Sequence, residues 1–252
     1  MLYRCLSVHG SSPNFPLFFF QPIALLSLFP REVFFSELGP FFWKTIALVL
    51  CLSAAASILG YQTRWGLLSL SIIQTFLVGF SYSFKDYHHD QALPILAGFF
   101  LCLTPCGEKF SIQKPQGSMD RDWGFNWFFV FIYSFLAVIY FTAGIAKLVH
   151  SSADWLSGRA LVFYVHQDAV ANSKPWGIWI SQQPSLCAGL SWFTLFFQMF
   201  FWVGLFNRKV RWFLVLTAIG FHLTTDLLMK ASFMGFVGVL SFFLPWKRKL
   251  NI

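Results

Sequence analysis

The chain has 252 residues, of which 57% are hydrophobic, 21% aromatic and only 11% charged, with a formal net charge of +8. Water-soluble domains carry roughly 25% charged residues, so the charges here are too few to cover a soluble globule of this size. The apolar residues fall in long blocks, with the basic residues in short loops between them; this leaves the lipid bilayer as the solvent and excludes the continuous basic face that nucleic-acid binding requires.

In chain order, Arg4 precedes an apolar stretch at 15–29 that Pro16 and Pro22 interrupt. No small-residue cleavage site follows, so residues 1–40 are expected to form an interfacial or re-entrant segment and not a removable signal peptide. Membrane-spanning helices are expected near 41–59, 67–83, 92–104, 127–149, 188–206, 210–229 and 232–245, the third being short and containing Pro94. The longest polar connections, about 105–125 and 150–187, leave no room for a soluble domain. The second contains Pro175, Pro184 and three tryptophans (Trp155, Trp176 and Trp179) and is expected to lie at the interface, partly helical. No repeat or low-complexity stretch is visible. The expected fold class is therefore all-α: a polytopic transmembrane helix bundle of about seven spans, forming one membrane domain over 1–252.

Loop charges set an expected orientation. Arg64, Lys109, Lys114, Arg121, Arg208, Lys209, Arg211, Lys247, Arg248 and Lys249 collect on one side, against Arg4, Arg31, Lys44, Lys85, Arg159, Lys174 and Lys230 on the other. The richer side is expected to be cytoplasmic, placing the C-terminus inside and the N-terminus outside, in the plasma (inner) membrane for a bacterial protein. Five scattered cysteines, Cys102 and Cys106 among them, lack the companions of a zinc site and read as small apolar helix residues, so no metal is expected.

Ionisable residues inside a membrane helix cost roughly 2.5–3.5 kcal/mol on insertion scales, which makes them the candidates for function. Lys147 stands near the end of the 127–149 span. Tyr140, Gly144 and Lys147 are spaced by four and three and share one helix face, and the small pair Ala143-Gly144 lets a neighbouring helix or flat ligand come close. A desolvated lysine can act as a general base; the alternative is a lysine that snorkels to the head groups. His222, Thr225 and Asp226 share a face of the 210–229 span. There an acid can fix an imidazole tautomer, or the imidazole can make an interhelical hydrogen bond without chemistry, and Asp226 can instead pair with Lys230. His88 and His89 follow Asp86 before the third span, and Gln198 lies mid-span, where it must find a partner. Under the expected topology Lys147, His88, His89, His222 and Asp226 all lie toward the extracytoplasmic side, as they would around one outward-opening polar pocket.

Residues 140–158 read YFTAGIAKLVHSSADWLSG. With its core of Tyr140, Ala143-Gly144, Lys147-Leu148, Trp155 and Gly158, this stretch resembles the vitamin K-dependent gamma-carboxylase-like group, also called the horizontally transferred transmembrane domain family. QPIALLSLFP at 21–30, SYSFKDYHHDQALPILAGFFLCLTP at 81–105 and FHLTTDLLM at 221–229 are also similar, in family order. The resemblance implies a lysine, matched by Lys147, that deprotonates reduced vitamin K. Oxygen then generates a stronger base, which takes a glutamate γ-proton before carbon dioxide adds. It also implies functional histidines at or near His89 (or His88) and at His222. The chain departs from the family in three ways: the carboxylase's large lumenal domain is absent, Gln198 stands where many relatives have a carboxylate, and the first family helix is not evident.

Two functions follow as expectations. One is an enzyme in which a reduced quinone, vitamin K or menaquinol, binds among the helices and Lys147 takes its proton, with a secreted peptide or protein as a further substrate. The other is a non-catalytic membrane accessory factor for the maturation or export of a secreted peptide. A transporter is disfavoured because no inverted repeat or pair of broken helices is visible.

Overall fold

The structure, a computed structural model, describes residues 20–28, 34, 39–84, 89–106, 111–112, 121–231 and 233–244. Most of the expected 1–40 segment lies outside the described residues. The chain divides into two compact units, Met1–Gly124 and Phe125–Ile252. Every regular element among the described residues is helical.

In the first unit a 3-10 turn, Ala24–Leu28, precedes helices α1 (Gly39–Leu59), α2 (Thr63–Tyr82) and α3 (Ala92–Leu101). Helix α1 packs on α2 and α2 on α3. Their common core is aromatic: Phe20, Phe34, Trp43 and Phe80 are buried together with Leu26, Leu50 and Leu77. The Trp43 ring meets Phe80 edge-on at 4.5 Å, and its indole N–H donates to the Phe34 carbonyl at 3.3 Å, so the polar edge of a buried ring finds a partner. After α3, the Cys106 thiol is pushed up from its ordinary pKa by burial, which the Arg64 charge opposes.

The second unit contains the C-terminal bulk of α4 (Arg121–Leu156), then α5 (Arg159–Ala171), α6 (Pro175–Ser181), α7 (Pro184–Phe200) continued by a 3-10 turn (Phe201–Leu205), α8 (Arg208–Met229) and α9 (Met234–Ser241). Pro175 and Pro184 open α6 and α7 at positions where the missing N–H is not needed. Asn207 caps α8, its side-chain oxygen accepting from the Lys209 and Val210 amides at 2.9 and 3.2 Å.

Among the described residues five helices are long and apolar enough to cross a bilayer: Gly39–Leu59, Thr63–Tyr82, Asn126–Leu156, Pro184–Leu205 and Arg208–Met229. They correspond to the first, second, fourth, fifth and sixth expected spans. The third and seventh places hold shorter apolar helices, α3 with ten residues and α9 with eight. Pro94 accounts for the start of α3, since proline is tolerated only in the first turn of a helix. Apolar side chains such as Leu52 and Ile58 on α1, and Phe213, Leu216 and Leu227 on α8, point outward. Such outward-facing residues suit lipid as the surrounding medium.

The 150–187 connection is more helical than its sequence indicates. Helices α5 and α6 pack on each other and on α8. The Asn172 amide donates to the Met229 carbonyl at 3.3 Å, and a Cβ on Gly177 would fall 2.1 Å from the Leu228 carbonyl oxygen, so this segment is seated against the C-terminal end of α8. Farther down the unit, Tyr133 is 1% exposed and stacks on Phe201 at 5.0 Å, its hydroxyl donating to the Phe201 carbonyl at 3.1 Å. Tyr133→Phe should lower stability by about 1 kcal/mol, readable as a reduced unfolding temperature in detergent with little change in ligand affinity.

Candidate functional site

Four elements of the second unit build the site: α4, the turn after it, α7 and α8. Tyr140 and Gly144 on α4 are buried, and Lys147, on the same face, is half-buried. The Tyr140 hydroxyl lies 2.7 Å from His222 Nε2 on α8, a buried bond spanning 82 residues of sequence. Phe197 and Phe201 pack on the Tyr140 ring at 5.1 and 4.5 Å, while Phe233 and Phe236 pack on the imidazole at 5.0 and 5.3 Å. The interhelical bond is thus set in an aromatic box. Neither His222 Nδ1 nor Gln198 Oε1, both buried, has a hydrogen-bond partner among the described residues.

At Gly144 α7 comes close to α4. A Cβ there would meet Met199 Sδ at 3.0 Å and Gln198 Cβ at 3.4 Å. The small residue therefore admits a neighbouring helix, as its position in the motif implies.

Lys147 does not reach outward. Its Nζ turns back along the helix to donate to the Ala143 carbonyl at 3.3 Å and lies 5.0 Å from the centroid of the Trp155 ring. Among the described residues no carboxylate pairs with it. Residues eight apart in an unbroken helix are about 12 Å apart along its axis. A break at Ser151, whose φ and ψ are −151° and 39°, redirects the chain so that the indole reaches the lysine. It falls at a serine pair, Ser151-Ser152, a common place for a kink. Tyr164 of α5 stacks on the far side of this arrangement, 6.2 Å from Trp155 at an interplanar angle of 27°. At the end of α4 the Trp155 carbonyl accepts from Ser191 Oγ at 2.5 Å. Gly158 adopts φ +80°, and a Cβ there would lie 2.5 Å from the Ala188 amide nitrogen of α7. Tyr164 and Ser191 carried no sequence signal beyond being an aromatic and a small polar residue.

Of the remaining candidates, the Asp226 carboxylate makes neither a hydrogen bond to the imidazole nor an ion pair with Lys230 among the described residues; its backbone carbonyl accepts from the Lys230 amide at 2.9 Å. Tyr140 is the group that orients the ring. Thr225 donates to the His222 carbonyl at 2.9 Å. His88 lies outside the described residues, as does the side chain of His89, whose backbone opens a short 3-10 turn in the first unit. Tyr140, Gly144, Lys147, Trp155, Gly158, Gln198 and His222 are thus gathered in the second unit.

Beside this cluster, an apolar groove of about 300 Å³ runs between α4 and α7, lined by Phe141, Leu148 and Leu156 on one side and Trp192, Phe196 and Met199 among those on the other. Phe141, Leu148, Leu156 and Met199 immediately follow Tyr140, Lys147, Trp155 and Gln198 in sequence.

The HTTM domain matches residues 31–247, through both compact units. The chain belongs to the HTTM family. It is an integral membrane protein of this carboxylase-like family, and the matched range takes in the lysine motif, the 81–105 stretch and the 221–229 stretch. Neither the curated proteins nor the solved structures hold a match to this HTTM protein.

Proposed function

We propose that this HTTM protein is a membrane enzyme in which Lys147 removes a proton from a reduced quinone, vitamin K or menaquinol, in a pocket of the second unit that opens to the extracytoplasmic side. The observation that carries the reading is the direction of Lys147. A snorkelling lysine near the end of a span extends toward the head groups. This one folds back to the Ala143 carbonyl and under an indole, with no carboxylate beside it among the described residues. An amine so placed can take a proton from a bound hydroxyl when it is neutral.

The neighbouring residues fit a quinol. The buried, unpartnered Gln198 Oε1 and His222 Nδ1 offer hydrogen-bonding atoms to a polar ring, and the groove flanking them suits an isoprenoid tail. When bound, the quinol would supply an acidic hydroxyl and four electrons, two from its hydroquinone and two from the ring double bond, so that one oxygen molecule yields its epoxide and water. Lys147 Nζ takes the hydroxyl proton, Trp155 shields the ammonium so formed from water and stabilises it through its π-face, and Tyr140 holds His222 in place. Carboxylation of a secreted peptide or protein is the further step that the family suggests. In this reading the cationic loops and C-terminus are cytoplasmic, at the inner membrane of a bacterial cell.

The test is incubation of the purified protein in lipid with reduced vitamin K or menaquinol and oxygen, with detection of the epoxide. Epoxide from the natural chain and none from Lys147→Ala supports the enzyme. No epoxide from folded protein across several quinols rejects it. A second reading, a non-catalytic accessory factor for a secreted peptide, has one observation in its favour. Tyr140, Gly144, Trp155 and Gly158 each have a packing or hydrogen-bonding role, so much of the motif is accounted for by architecture alone.

A further inference from the structure

Two of the most deeply buried polar side chains in the second unit are incompletely paired. His222 is 4% exposed and Gln198 6% exposed, and His222 Nδ1 and Gln198 Oε1 are the buried side-chain nitrogen and oxygen atoms without a partner among the described residues. Leaving such groups unpaired is costly, and native structures rarely keep them so unless they serve a bound group.

Each residue meets the Tyr140–Gly144 face of α4. Tyr140 reaches His222 across the helix interface, and one helical turn farther along α4 the missing Cβ of Gly144 would touch Gln198 Cβ. The aromatic rings of Phe197, Phe201, Phe233 and Phe236 enclose Tyr140 and His222. The senses of the unpaired atoms differ. A phenol is a strong donor and a weak acceptor, so the Tyr140 hydroxyl donates to His222 Nε2 and leaves the ring proton on Nδ1. Nδ1–H is then an unpaired donor, and Gln198 Oε1 an unpaired acceptor. A hydroxyl group both accepts and donates.

Resting on the reading above, we propose that His222 Nδ1–H and Gln198 Oε1 form a hydroxyl-binding subsite, in which His222 donates a hydrogen bond and does not act as a base. Its guest is the hydroxyl of a bound phenol or quinol, or a water molecule. A base role for His222 would need a bare ring nitrogen facing the guest, and the bond to Tyr140 occupies that nitrogen. Proton removal is thereby left to Lys147.

The test uses the full chain in lipid nanodiscs with 15N-labelled histidine, the His222 signals being assigned with His222→Gln. The expected spectrum has a protonated Nδ1 and a bare Nε2. Magnetisation transfer from water to the Nδ1 proton that disappears on anaerobic addition of menadiol identifies a ligand hydroxyl as the guest. Transfer that persists with menadiol present identifies the guest as water; the subsite then stands, and the quinol reading is judged separately by the epoxide assay. An Nε2-protonated ring, or an Nδ1 proton in contact with neither water nor menadiol, overturns the proposal.

Gln198→Leu adds a readout that a purely structural glutamine would not move in the same direction. It is expected to keep or raise the unfolding temperature, because an unpaired buried acceptor is removed, while weakening the guest contact at His222 about tenfold. A lowered unfolding temperature with the guest contact unchanged would also overturn it.

Discussion

Lys147→Met is expected to reduce epoxide formation by roughly 10²–10⁴-fold, the usual contribution of a positioned proton acceptor, with the protein still folded. Methionine has nearly the length and apolar stem of lysine, so the packing beneath Trp155 is retained. The sharper comparison is Lys147→Arg. Arginine preserves the charge, the contact with the indole face and the capacity to donate to the Ala143 carbonyl, but it cannot lose its proton at any accessible pH. A lysine kept for anchoring would be rescued by arginine, whereas a base would not. Rates with Met and Arg that are equally low, alongside unchanged unfolding temperatures, support the base; recovery of most of the activity by Arg would reject it.

Gly158→Ala is expected to have the largest effect on stability, roughly 3–5 kcal/mol. Two costs combine. The backbone at φ +80° is strained for an L side chain, and the added Cβ would lie 2.5 Å from the Ala188 amide nitrogen and 2.6 Å from its Cα. Both atoms belong to the backbone of α7, so no side-chain rotation relieves the clash. Since the Trp155 carbonyl and Ser191 are joined just beside it, separating α4 from α7 there also displaces the indole over Lys147. Loss of folded yield and a large fall in unfolding temperature are the expected readings. Gly189→Ala on the same helix, where an added Cβ meets nothing within 4 Å, is the control and should change little.

Much of the architecture was legible because lipid makes strong demands on sequence. Five of the seven expected spans coincide with helices of spanning length among the described residues, and the four-three spacing of Tyr140, Gly144 and Lys147 placed them on one face. Two kinds of information were not legible. The first is pairing over long distances. Asp226 stands four residues from His222 and was the evident candidate to orient its ring, but that role falls to Tyr140, 82 residues away, because helix packing and not local spacing decides which groups meet. The second is the break in α4. The apolar pattern ends near Val149, yet α4 runs on to Leu156 with one non-helical residue at Ser151, and that break redirects the turn that carries Trp155. Short helices at the third and seventh places follow the same lesson: hydropathy marks an apolar stretch, but the length of the helix depends on prolines and on packing.

Arg211 alters what the charge of its loop means. It follows Arg208 and Lys209, and by position all three are cations that orient the chain and attract anionic lipid. Its side chain is directed elsewhere: Nε donates to the Gly204 carbonyl at 2.8 Å, Nη2 lies 3.4 Å from the Leu205 carbonyl oxygen, and the guanidinium sits 5.5 Å from the centroid of the Tyr133 ring. The residue works as a fastener, closing the open carbonyls of the 3-10 turn after α7 and resting on α4. Attraction of roughly 1 kcal/mol per cation applies to side chains near the lipid surface, which here are Arg208 and Lys209. The loop therefore counts as three charges for topology and as two for adhesion to the bilayer.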